Sequence, residues 1–173
     1  MHSQLKTSRS QLNINLETVE IPVSFENFTR RFEDRLGRYD DVSLKSSRTL
    51  EELEFNVNAM RGKEPFSIYA IHDHGRLAEL AGTPRKAKQY VIGNSRLATR
   101  MTIHEIQVAL YAPINFLIYE DYNGKVKLEY LTITSLLAQF SNSEVQSIAR
   151  LVDEKRSTLI KSIVEDVQDM QST

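Results

Sequence analysis

The chain is 173 residues long, 40% hydrophobic and 26% charged, a composition that excludes a disordered polyelectrolyte and suits one globular core. With 22 basic against 23 acidic side chains the net charge is −1, so no molecule-wide field draws it to nucleic acid or to a membrane surface. Cysteine is absent, which removes disulfides, thiolate metal sites and thiol nucleophiles together and fits a cytoplasmic setting. The polar stretch from Met1 to Gln11 has no apolar core of the kind a secretory signal needs, and no run approaches the roughly 20 apolar residues of a spanning helix.

Residues 1–10 lack periodicity and read as a flexible tail, leaving 11–170 as a single domain. Leu12, Ile14 and Leu16 alternate with polar residues, and Val19, Ile21 and Val23 alternate in the opposite phase, which predicts a first strand with a bulge near Glu17-Thr18. Ser24 is placed to cap a helix whose Phe25, Phe28, Phe32 and Leu36 form one stripe, and Gly37 is placed for a left-handed end. From 38 to 64 the pattern predicts an inserted loop and helix. Asp40-Asp41 and Lys45-Ser46-Ser47 read as loop, and Thr49 with Glu52 forms a capping box for a helix carrying Leu50, Leu53, Val57 and Met60.

Phe66, Ile68, Ala70 and His72 are expected on one face of a strand, with Tyr69 and Ile71 on the other. A short helix from Arg76 to Ala81 ends at Gly82-Thr83-Pro84. Tyr90-Val-Ile is a strand, Gly93-Asn94 a turn suited to positive φ, and Ser95 a cap for the helix of Leu97, Ala98 and Met101. A further helical turn runs through Ile106 and Leu110. Pro113 opens a strand through Glu120, Asn123-Gly124 makes a type I′ turn, and Lys125 to Leu131 returns antiparallel. Thr134 to Phe140 reads as a short helix. Ser141 with Glu144 then starts a long amphipathic helix, with Val145, Ile148, Val152, Leu159, Ile163 and Val167 inward, to about Asp169.

Tyr90-Val-Ile-Gly-Asn, Ala109-Leu-Tyr-Ala-Pro, Ile118-Tyr-Glu-Asp and Ser135-Leu-Leu-Ala-Gln-Phe, with Ile71-His-Asp-His, give the chain a likeness to a known family. From about Ile21 to Leu159 it resembles the family called domain of unknown function 302. The resemblance implies an α+β fold: a curved antiparallel sheet with helices packed on one face, two layers in all, similar to the TATA-binding-protein-like topology, and a tendency to form homodimers. It supplies no catalytic residues, and the 38–63 segment looks longer than the family's usual connection.

Three constellations carry chemistry. His72 and His74 on one strand face have the spacing of metal ligands, with Glu120 or Asp121 as completing carboxylates. Glu120 invites Arg100 or His104 as a partner. Gly93-Asn94-Ser95 at a strand-to-helix junction, with Arg96 and Arg100 nearby, could take an anion, but it lacks the lysine and multiple glycines of a phosphate loop, and Ser95 as a helix cap explains it by itself. Arg85-Lys86-Ala-Lys88 reads as a solvated loop.

With no triad and no phosphate loop, the expected function is a dimeric, non-catalytic module binding a small ligand, of unknown identity and with no assigned cofactor, between sheet and helices. His72, Asn94, Ser95, Arg100, His104 and Glu120 are its expected lining. The rival functions are a metal-dependent or acid–base enzyme using His72, His74 and Glu120, and a protein-interaction domain using the hairpin edge or the C-terminal helix.

Overall fold

The computed structural model describes residues 5–172. A six-stranded sheet is built from β1 (Leu16–Ile21), β2 (Gly37–Arg38), β3 (Ser67–Asp73), β4 (Ala87–Gly93), β5 (Ile114–Glu120) and β6 (Val126–Leu131), in the spatial order β1-β6-β5-β4-β3-β2. Every neighbouring pair is antiparallel except β2 with β3. The helices are α1 (Phe25–Arg35), α2 (Asp41–Ser46), α3 (Leu50–Ala59), α4 (His74–Ala78), α5 (Ser95–Thr102), α6 (Ile133–Leu136) and α7 (Ser143–Gln171).

Strand alternation and register assign the two faces of the sheet. Tyr90 and Ile92 of β4 stand opposite Phe116 and Ile114 of β5, and Ile118 opposite Leu128 of β6, all buried. On these pack α1 and α7. Ser24 accepts from the Asn27 N–H at 3.3 Å and so fixes the start of α1, which presents Phe25, Phe28 and Phe32 to the sheet. Phe32 meets Tyr90 edge-on at 5.0 Å between centroids, and burying a ring of this kind is worth roughly 1.5–3 kcal/mol. All six inward positions expected on the long helix, from Val145 to Val167, are buried in α7. The other face, with Gln89, Leu117, Tyr119, Lys127 and Glu129, carries no helix comparable to these two among the described residues and is held by side-chain bonds such as Thr18 to Glu129 and Lys127 to Glu20.

Several local expectations need correction. The first strand begins at Leu16 and pairs with β6 without a bulge; residues 5–15 hold neither helix nor strand, and residues 1–4 of the expected tail lie outside the described residues. Gly37 is not left-handed: it enters β2 and packs against the backbone of Met60 and Gly62, where a Cβ would overlap the Met60 carbonyl. The 41–46 stretch is helical rather than loop, because the Asp40 carboxylate accepts from the N–H groups of Val42 and Ser43. Asn94, not Ser95, caps α5, and Asn142, not Ser141, caps α7. Gly93 ends β4 with ordinary φ.

The hairpin is also of a different type. Within its loop only Gly124 has positive φ, at 76°, and Asp121 N–H bonds to the Lys125 carbonyl across a three-residue loop, so the turn is not type I′, which needs two positive φ values. The short helices run His74–Ala78 and Ile133–Leu136 rather than from Arg76 and Thr134.

Candidate functional site

The 93–102 segment leaves the end of β4 and turns directly into α5. Asn94 makes that turn rigid: its Oδ1 accepts from the Leu97 N–H at 2.9 Å and its Nδ2 donates to the Pro65 carbonyl at 2.5 Å, tying the start of α5 to the approach to β3. Beside it the Tyr69 hydroxyl lies 2.9 Å from Ser95 Oγ, and Tyr69 stacks on Tyr39 with centroids 3.9 Å apart. Burial pushes the Tyr69 phenol above its usual range, so it is a neutral hydrogen-bonding group and not a base for Ser95.

Around this junction α3, α5 and α7 enclose a cleft of about 580 Å³. Leu53, Val57, Met60, Pro65 and Leu97 give it an apolar floor; Asn94, Ser95, Arg96, Arg100 and Lys155 supply polar and cationic groups. Arg100 bonds Glu144 at 2.5 Å, which bridges α5 to α7, and Arg96 donates to the Asn58 amide at 2.9 Å, which bridges α5 to α3. A second, narrower slot of about 290 Å³ shares Asn94 and Leu97 as a wall. It is lined by Tyr39, Tyr69 and Tyr111 above buried Phe66, Val108 and Ile114. Both are of the size and mixed character of small-molecule sites.

Of the residues expected to line one pocket, Asn94, Ser95 and Arg100 meet at this cleft. The others lie elsewhere. His72 stands opposite Gln89 on the face away from α1 and α7, because a register shift between Ile68 and Ala70 reverses the alternation along β3. His74 follows it to that side, its Nε2 3.4 Å from Gln89 Oε1, with the imidazole centroids 6.4 Å apart. Glu120 belongs to the opposite face, continuing the series Ile114, Phe116, Ile118, and pairs with Lys86, which also holds Glu26 at the start of α1. His72 and Glu120 therefore do not share a wall. His104 is exposed beyond the end of α5 and lines neither cavity. Among the described residues no cluster of three or more His, Asp or Glu side chains has metal-binding geometry.

Lys155, Arg61 and Tyr69 enter the site without a sequence expectation. Lys155 had an indirect signal: in α7 the inward period places Val152, Arg156 and Leu159 on the core side, so an arginine at a core position marks an unusual stretch. Arg156 is 1% exposed, its guanidinium 3.6 Å over the Tyr130 ring, donating to the Leu131 carbonyl and to Asp153. Asp153 in turn accepts from the Ile133 and Thr134 N–H groups and starts α6. This network anchors the wall from which Lys155 projects.

Residues 42–163 match the family model described as Domain of unknown function DUF302, so α3 and all of α2 but its first residue lie inside the matched stretch while β1, α1 and β2 precede it. No curated protein matches the chain. Among solved structures, that of an uncharacterized conserved protein DUF302 from Bacillus stearothermophilus aligns with a TM-score of 0.60 and 16% identity, covering 84% of this chain and 95% of that one. Identity so low speaks to fold alone.

Proposed function

The chain belongs to the DUF302 family, and we propose that it is a small-ligand-binding module whose ligand occupies the cleft between α3, α5 and α7. The observation that carries this is the junction at Asn94. Bonds from Asn94 to Pro65 and from Tyr69 to Ser95 hold the cleft's polar wall in place before any ligand arrives, which lowers the ordering cost of binding. The role of the module is binding rather than catalysis: Ser95 faces a neutral phenol instead of a base, and His72 and His74 lie on the other side of the sheet.

The open face of the sheet, with Ala70, Val91, Leu117 and Tyr119 half-buried, supports assembly as a homodimer through that face. Light scattering tests this directly, and a monomer at micromolar concentration refutes it. The binding function is tested by a thermal-shift screen of metabolite-like compounds on the wild type and on Val57→Trp, whose indole fills the cleft. At least one compound should stabilise the wild type and not the variant. Stabilisers that act equally on both would place binding elsewhere.

A further inference from the structure

We propose that the ligand of this cleft is an amphipathic anion, its carboxylate or phosphate head held by Lys155 and Arg61 and its apolar body laid on Leu53, Val57, Met60 and Leu97; this rests on the cleft being the ligand site. The lining contains four cationic side chains, Arg61, Arg96, Arg100 and Lys155, and one carboxylate, Glu54. That excess stands out in a chain whose net charge is −1.

Among the described residues only Arg100 of these four is matched by a carboxylate, Glu144. Arg96 donates to the neutral Asn58 amide, which leaves its charge uncompensated. Lys155 is half-buried, and neither it nor Arg61 makes an ion pair among the described residues. By contrast Lys86, Lys88, Lys125 and Lys127, in or next to β4 and β6, each meet a glutamate.

Cations gathered over an apolar floor favour a ligand that brings its own negative charge, since each then forms a charge-assisted hydrogen bond in a partly dewatered setting. A neutral molecule leaves those charges unused, and a cation is repelled by them. The apolar floor excludes a small inorganic anion as the full ligand, because it would leave Leu53, Val57 and Met60 uncovered.

The test is calorimetric titration of the full chain with four probes of one tail length: octanoate, octyl phosphate, 1-octanol and octylamine. Octanoate or octyl phosphate should bind about tenfold more tightly than octanol, a step typical of one charge-assisted bond, and octylamine should bind least. The order of the two anions tells carboxylate from phosphate as the head group. Lys155→Gln and Arg61→Gln, both changes of exposed or half-exposed side chains, should reduce the anions to the level of the alcohol and leave the alcohol unchanged. Equal affinity for octanol and the anions, unchanged anion affinity in both glutamine variants, or no binding by any probe would overturn the anionic class. Val57→Trp separates the two claims: loss of all binding there with no anion preference leaves the cleft standing, whereas binding unaffected by Val57→Trp removes the cleft itself.

Discussion

The Tyr69 hydroxyl and the Ser95 hydroxyl, 2.9 Å apart, join the bulged part of β3 to the first residue of α5. The contact spans 26 positions of sequence and sits where the cleft and the slot share a wall. Because each hydroxyl is the other's partner, removing either strands the remaining one. Tyr69→Phe and Ser95→Ala are each expected to cost about 1 kcal/mol, and the double variant little more than either alone. Urea denaturation of the three variants checks this; additive losses would mean that the two hydroxyls act independently.

Arg156 is the most deeply buried charged side chain among the described residues, and burial pulls its pKa below the usual arginine range. The Tyr130 phenol beneath it is pushed up to about 12, by burial first and by its bond to Glu17 second, so it stays neutral under ordinary conditions. Arg156→Ala would open a cavity against Tyr130 and orphan the Leu131 carbonyl, at a cost of about 3 kcal/mol. Arg156→Met, which fills the space, is expected to cost less than half of that. Comparing their urea midpoints decides whether packing or charge dominates.

Asp166 receives hydrogen bonds from Arg31 at 2.7 Å and Arg35 at 2.7 Å, fastening α7 to α1. The Arg31 bond is the chief reason that its carboxyl titrates below the ordinary value of 3.8. A carboxyl depressed on folding contributes stability that is complete above its unfolded pKa and vanishes as pH falls through the lower folded one. Asp166→Asn should therefore lower Tm at neutral pH, with the gap to wild type constant down to about pH 4 and closing below it. Thermal melts from pH 7 to pH 2 measure that gap. A gap independent of pH would show that the ion pairs contribute nothing.

His72 lies at the exposed end of β3 and His74 at the start of α4, and Glu120 is committed to Lys86 on the other face. His72→Ala and His74→Ala are expected to change stability by no more than about 0.5 kcal/mol, the usual range for surface positions. Elemental analysis of the purified wild type and both variants should give the same metal content. A stoichiometric metal lost on either substitution would restore the enzymatic alternative.

Local signals in the sequence carried the architecture well where they were self-contained. Ser24 and the phenylalanine stripe of α1, the inward series from Val145 to Val167, and the hairpin position all depend on residues within a few turns of one another. What escaped depends on distant chain. Gly37 is required by Gly62 packed against it, not by its own φ, and nothing near Gly37 in sequence shows this. The register shift near Tyr69 comes from pairing with β4, and a period-2 pattern carried across it places Ala70 and His72 on the wrong face. Asn94 and Ser95 are both good caps, so composition alone could not choose between them, although either choice put the junction in the right place. Three of the six expected lining residues, Asn94, Ser95 and Arg100, lie along one cleft for that reason. Lys155 comes from α7 and Arg61 from just past the end of α3, elements whose approach to α5 no motif encodes.

The most direct test of the cleft as the functional centre is an amide chemical-shift map of the isotopically labelled chain titrated with octanoate. The account predicts saturable shifts concentrated at Val57, Asn94, Ser95, Leu97 and Lys155, with His72, His74 and Gln89 unmoved. Saturable shifts centred on His72, His74 and Gln89, with the α3, α5 and α7 residues silent, would contradict it.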